Sequence, residues 1–313
     1  MSQPTDVVLD RAAAYPAITA LKAVLARRDW PACRALLDSA APMDRTGLLR
    51  AVCEEQGLEE FLRGVLAADP KDGAASALLG MHLTDVGWKI RTSARAQYVS
   101  REQFAAFHDW LRKAELVLMD GAAYCPKDPA IWTARMTSAR GLQLGLAESR
   151  RRHDRLMAAD PHHLPGQLQL LQMLCPKWSG TWEQLHQFAR EAIQAAPPGG
   201  AHGLLVAEAH IEHAFDGSSQ EIVSYLANDQ VRAEIYDAAQ RSIWHPSFGR
   251  GYGWLEALST FALLFTLLDD QRAAAATFTA MGNLGTEMPW SYVNEDVVTQ
   301  IRQARTWAFG GKR

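Results

Sequence analysis

The sequence has few cysteines and no long apolar run. These two features disfavour a protein held together by disulfides or cysteine-bound metal, and a protein that spans a membrane. Its four cysteines form no C-x-x-C pair and no histidine stands at a zinc-finger interval from them, so buried free thiols are predicted rather than disulfides or a cysteine metal site. The most apolar stretch, Leu258 to Leu268, has about half of the roughly twenty residues that a membrane span needs. The first ten residues lack a basic run followed by an apolar one, so a cytoplasmic protein without a membrane partner is expected.

The sequence also lacks an excess of positive charge. Among 313 residues, 32 are Lys or Arg and 35 are Asp or Glu, which gives a net charge of −3. Proteins that bind nucleic acid usually carry a strongly basic face to neutralise phosphates. We therefore predict no nucleic-acid partner.

β-Branched residues are scarce and alanine is abundant. Only 23 residues are Val or Ile, the types that favour strands, whereas 51 are Ala, the best helix former. The overall hydrophobic content of 48% and charged content of 21% are close to the averages of globular proteins. This composition predicts an all-α fold.

Proline-containing stops recur along the chain and suggest an internal repeat. Pro129, Pro161 and Pro197 are separated by 32 and 36 residues, and Pro70 precedes Pro129 by 59. Each stop is followed by apolar residues at helical spacing and then by a second helical stretch. Because proline ends one helix and presets the backbone for the next, this pattern predicts stacked helix–turn–helix pairs. The longer first interval predicts an insertion near residues 84–103.

These features resemble the tetratricopeptide repeat, whose period is about 34 residues. The pair Leu79-Gly80 is similar to the Leu-Gly step of that repeat, and the recurring stops are similar to its final proline, although Ser76 stands where the repeat has Trp. The segments 177–182, 188–190 and 289–292 resemble an uncharacterised bacterial family of such proteins. The resemblance implies a tetratricopeptide-like right-handed α-solenoid with irregular terminal helices.

The pattern divides the chain into three parts. Residues 1–56 are predicted as N-terminal helices, residues 57–215 as the repeats, and residues 216–313 as a C-terminal helical group. A glycine-rich break at 246–253 interrupts the last part.

Two histidines on one predicted helix raise the question of a metal. His210 and His213 are three residues apart, so their side chains lie on the same side of a helix. A third ligand would have to come from another helix, and neither the H-E-x-x-H pattern nor the Glu-x-x-His pattern of di-iron proteins occurs. The expectation is a polar stripe that faces solvent or a groove, with no metal and no cofactor.

Two further segments carry candidate ligand-binding side chains. The predicted insertion contains Trp88, Arg91 and Arg95, a local positive cluster that suits an anion or carboxylate, with a solvated connector as the alternative. The glycine-rich segment carries His245, Arg250 and Tyr252, which suit a ligand-contact loop, but it does not match a phosphate-binding motif.

Aromatic side chains near the repeat ends complete the set. Trp178 and Trp182 are predicted to contribute to one groove with His210 and His213, the alternative being that the tryptophans are core residues. The function predicted from all of this is a binding or scaffold protein whose concave groove takes a peptide or protein partner. A small-molecule-binding protein or enzyme with a pocket of His, Trp and Arg is the alternative.

Overall fold

The computed structural model describes residues 6–92 and 96–311, and α-helices account for most of this part of the chain. The all-α prediction is confirmed, since the described residues form no β-strand beyond one isolated bridge between Val8 and Leu284. The helices are α1 (Arg11–Ala14), α2 (Ala17–Ala26), α3 (Trp30–Ser39), α4 (Pro42–Val52), α5 (Leu58–Ala68), α6 (Gly73–Arg91), α7 (Arg101–Tyr124), α8 (Pro129–Gly141), α9 (Gly145–Ala159), α10 (Leu164–Leu174), α11 (Trp182–Ala195), α12 (Gly203–Ala214), α13 (Ser219–Leu226), α14 (Asp229–Arg241), α15 (Trp254–Leu267), α16 (Gln271–Met281) and α17 (Val297–Ala308). None of the helices described is long and apolar enough to cross a membrane.

The chain forms two compact units. The first unit is Pro16–Gly180 and contains α2 to α10, and the second unit joins Met1–Tyr15 to Thr181–Arg313 and contains α1 with α11 to α17. The boundaries predicted from the sequence, at residues 56 and 215, fall inside the first and the second unit respectively.

Helix starts follow local capping chemistry. Asp72 and Asp128 each accept a hydrogen bond from a backbone amide in the first turn of α6 and α8, and Thr181 does the same for α11. These side chains satisfy amides that have no partner within the helix. Gly57 opens α5 with a φ of 67°, a left-handed conformation that glycine adopts without steric cost.

Helices with mostly buried residues alternate with amphipathic ones in the first unit. The helices that follow the proline stops, α6, α8 and α10, bury most of their residues, whereas α5, α7 and α9 bury one face. Gly80 allows α6 to approach α7 closely, because a Cβ at this position would overlap the buried side chain of Leu118. The close packing of α6 on α7 therefore explains why a glycine follows Leu79.

The predicted insertion is shorter than its sequence suggested. Helix α6 continues through Thr84 to Arg91, and α7 already begins at Arg101 under the cap of Ser100. Gly87 lies against Phe107 of α7, so packing between the two helices extends α6 past the expected connector.

In the second unit, α12 and α15 are the most completely buried helices, and α12 packs against α11, α13, α14 and α15. Three of the four cysteines of the chain are buried free thiols as predicted, and Cys125 is partly exposed. The position of α12 amid four helices brings its histidines close to residues far away in sequence.

Candidate functional site

An open cavity of about 290 Å³ lies in the second unit, bounded by α11, α12, α13 and α14. We call it the histidine cavity. Its lining residues are Trp182, Glu183, His186, Arg190, His210, His213, Tyr225, Asn228, Gln230, Val231 and Glu234.

The helical period aims these side chains at one place. On α11, Trp182, His186 and Arg190 recur every four residues and therefore share a face. On α14, Gln230 and Glu234 have the same spacing. Asn228 accepts hydrogen bonds from the amides of residues 230 and 231, so the start of α14 is held at the cavity.

A chain of hydrogen bonds connects the imidazoles. His186 Nε2 lies 2.9 Å from His213 Nδ1 and 3.2 Å from the hydroxyl of Tyr225. The same hydroxyl lies 2.7 Å from Nδ1 of His210. Tyr225 thus links His186 on α11 with His210 on α12, although α13 carries the tyrosine itself.

An aromatic stack closes one side of this chain. The rings of Trp182 and His213 lie parallel, with centroids 4.4 Å apart and planes 3° apart. The ring of Tyr225 lies on His213 as well, at 4.3 Å and a tilt of 42°. The imidazole of His213 is therefore held in place by an indole, a phenol and its hydrogen bond to His186.

The carboxylate of Glu234 faces His210 in the cavity. Glu234 lies 3.5 Å from Nε2 of His210, and both of its oxygens lie 3.2 Å from Nη1 of Arg190. His210 and Arg190 stabilise the carboxylate and lower the pKa of Glu234 to about 2. The cavity lining thus combines two glutamates, Glu183 and Glu234, with an arginine whose side chain is half exposed.

Burial keeps His186, His213 and Tyr225 neutral at pH 7. It lowers the pKa of His186 to about 3, with a further contribution from His210 and His213. Burial also lowers the pKa of His213 and raises that of Tyr225. Neutral imidazoles present lone pairs to a ligand or an ion, and a protonated phenol is able to donate a hydrogen bond.

Among the described residues, His186, His210 and Glu234 form a group suited to holding a metal ion. One ligand atom from each comes within 4.8 Å of the others. The sequence analysis paired His210 with His213, but the structure instead joins His210 with His186 of a neighbouring helix in this group.

Several of the predicted site residues lie at this cavity. Trp182, His210 and His213 line it, although His210 is buried to 1% exposure rather than part of a stripe that faces solvent. His245, Arg250 and Tyr252 belong to the same unit but are not among the lining residues. There, Arg250 lies over the ring of Trp254 at 4.8 Å, and His245 Nδ1 accepts a hydrogen bond from the amide of Ser247.

The remaining candidates lie in the first unit. Trp178 meets Trp88 edge to face at 6.1 Å, with Arg140 over both rings and Arg91 over Trp88. This aromatic–arginine cluster joins residues that the sequence analysis had assigned to two separate sites. Arg95 lies outside the described residues.

Four residues of the cavity were not predicted from the sequence: His186, Arg190, Tyr225 and Glu234. The spacing of Trp182, His186 and Arg190 on one predicted helix was a usable signal, because it directs three functional side chains to one face. Tyr225 and Glu234 carry no such signal, since their helices reach the cavity only through tertiary packing.

Comparison with known proteins identified no relative of this chain. No protein-family model, no curated protein and no solved structure matches the chain.

Proposed function

We propose that this protein binds a small molecule in the histidine cavity. The observation that carries the proposal is the convergence of three histidines, a tyrosine, an arginine and two glutamates on one open cavity. Burying polar groups costs free energy, because they lose their contacts with water. A concentration of such groups at a concave surface is typical of ligand sites.

The cavity favours a small, polar ligand with an anionic group. Its volume of about 290 Å³ is at the lower end of the range for ligand pockets, which suits a metabolite rather than a long chain. Arg190 offers a half-exposed guanidinium that would bind a carboxylate or phosphate, and Tyr225 and the neutral imidazoles would bind the polar remainder.

A thermal-shift screen of small carboxylates and phosphates with the chelator-treated full chain tests this proposal. A ligand that raises the melting temperature of the wild type should have a clearly smaller effect on Arg190→Ala. Arg63→Ala is a matched control, because Arg63 is similarly exposed and also pairs with a glutamate, but in the first unit. If every compound leaves the wild type unchanged, or shifts both variants equally, the proposal is wrong.

We also propose, as a second function, that the first unit recognises a peptide or protein partner as a tetratricopeptide-like solenoid. The alternation of buried and amphipathic helices after the proline stops supports this proposal. So does the aromatic–arginine cluster of Trp88, Trp178, Arg91 and Arg140, since Trp and Arg are enriched among residues that dominate binding energy.

A peptide-display selection against the full chain tests the second function. Selected peptides should lose affinity for Trp178→Ala and retain it for Trp182→Ala, which alters the second unit. Equal binding to both variants would place recognition elsewhere.

A further inference from the structure

One buried nitrogen atom, Nε2 of His210, lies at the histidine cavity. His210 is 1% exposed, its Nδ1 lies at the Tyr225 hydroxyl, and its Nε2 makes no hydrogen bond to any described residue. Its ionic neighbour, the Glu234 carboxylate at 3.5 Å, interacts with it electrostatically but lies beyond a good hydrogen-bond length. Because a buried polar atom without a partner costs free energy, this nitrogen calls for a ligand.

We propose that His186, His210 and Glu234 bind a divalent transition-metal cation of the zinc class. This inference rests on the proposed function only in that the same cavity would admit the small molecule to the ion. The site takes two imidazole nitrogens and one carboxylate oxygen, a donor set that suits zinc and its neighbours better than magnesium or calcium.

The separations are close to those of a tetrahedral site. Zinc bonds of about 2.0–2.2 Å place neighbouring ligand atoms roughly 3.3 Å apart, and His210 Nε2 is 3.5 Å from Glu234. The widest pair of ligand atoms lies within 4.8 Å, so an ion would draw the ligands together by about 1.5 Å or less. Glu234 is only partly buried, whereas His186 is held at Nε2 by His213 and Tyr225, so moving His186 towards the ion would lengthen those contacts.

The surroundings of His210 match those of a metal ligand. A histidine that binds a metal usually has its other ring nitrogen held by a second partner, which orients the ring. Tyr225 does this at 2.7 Å and leaves Nε2 directed at Glu234. Three protein ligands also leave a fourth position open towards the cavity, as in catalytic rather than structural zinc sites.

The positive charge of Arg190 disfavours a cation at Glu234, so substitution of Arg190 tests the metal proposal. Its guanidinium pairs with Glu234, so a bound cation would have to share or displace it. The side chain of Arg190 is 47% exposed and is able to turn outward. Removing its charge should therefore strengthen cation binding, whereas the same change should weaken an anionic small molecule.

Isothermal titration of the chelator-treated full chain with Zn²⁺ measures the affinity and the stoichiometry. We expect one ion per chain, with the visible absorption of Co²⁺ reporting the nitrogen and oxygen ligands. Glu234→Gln should weaken binding by roughly 100-fold or more, Tyr225→Phe by about tenfold, and Arg190→Gln should strengthen it by roughly tenfold. His245→Ala is the control, since His245 does not line the cavity.

Circular dichroism separates loss of the site from loss of the fold. His210→Ala removes a buried side chain, so Glu234→Gln and Tyr225→Phe provide the decisive values if that variant unfolds. Absence of stoichiometric binding, or binding that Glu234→Gln leaves unchanged, overturns the metal proposal. The titration contains no small molecule and the ligand screen contains no metal, so failure of either proposal is read independently of the other.

Discussion

Trp182 stacks face to face on His213, with their ring centroids 4.4 Å apart. The contact joins the first residue of α11 to the last turn of α12. It places an indole at the edge of the histidine cavity, where the side chain of Trp182 remains half-buried. This tryptophan is therefore part of the site as well as of the helix packing.

Replacing Trp182 should cost less stability than replacing a core tryptophan of the same unit. Trp182→Ala should lower the free energy of unfolding by about 1–2 kcal/mol, since it removes one aromatic stack and part of a buried area. Trp290 is 2% exposed and donates a hydrogen bond to Ser259, so Trp290→Ala should cost about 3–5 kcal/mol. Urea unfolding of both variants measures the difference, and equal losses would make Trp182 a core residue.

Two glycines within helices of the first unit should respond oppositely to alanine. Gly80→Ala places a methyl group against buried Leu118 and should destabilise the protein by about 1–3 kcal/mol. Gly64 lies within α5 with no heavy atom near the added Cβ, so Gly64→Ala should stabilise it by about 0.5–1 kcal/mol. Thermal unfolding followed by circular dichroism checks both signs. A stable Gly80→Ala variant would show that α6 and α7 can separate at little cost.

A buried network of ion pairs in the first unit is centred on Glu115. Replacing one oxygen of this carboxylate by an amide nitrogen should lower the stability of the protein. Glu115 accepts hydrogen bonds from Arg152 at 2.6 and 3.0 Å, and Ser138 donates to it as well. Glu115→Gln removes the carboxylate that pairs with both buried guanidinium groups, those of Arg135 and Arg152. Of the ion pairs among the described residues, Arg152 then keeps only that with Glu148. This change should cost about 3–5 kcal/mol.

Glu59→Gln is the control for that change, because it breaks only an exposed pair with Arg63, which is worth about 0.5 kcal/mol or less. Chemical denaturation of the two variants makes the comparison. Similar losses in both would mean that the buried network contributes no more than a surface pair.

His153 should make stability depend on pH. Burial lowers its pKa to about 4, against the opposing effect of Asp154. The unfolded chain takes up this proton near pH 6.5, and the folded chain takes it up only near pH 4. The contribution of neutral His153 to the free energy of unfolding should therefore be complete above pH 6.5 and be lost as the pH falls from 6.5 to 4. The loss should reach at most about 3 kcal/mol.

His153→Leu removes this proton uptake and provides the comparison. The difference in unfolding free energy between wild type and variant, measured from pH 7 to pH 4, isolates His153 from the other acidic and basic groups. A difference that stays constant over this range would contradict the prediction.

Much of the helical pattern was predictable from the sequence. Helices were predicted after Pro70, Pro129 and Pro161, and α6, α8 and α10 lie there, because caps, prolines and apolar spacing act within a few residues. Helix α4 begins at Pro42, since proline also suits the first turn of a helix. The length of α6 was not predictable, because its last turns are held by packing on Phe107 of α7.

The sequence by itself determined the class of the fold and three members of the histidine cavity, Trp182, His210 and His213. Both depend on local spacing, which sets the helices and the faces that they present. Only the tertiary structure decided that His186 and Glu234 meet His210, and that Tyr225 links the imidazoles. Those contacts join four helices across up to 48 positions of sequence, and they follow from how α12 packs among its neighbours, which no short-range pattern encodes.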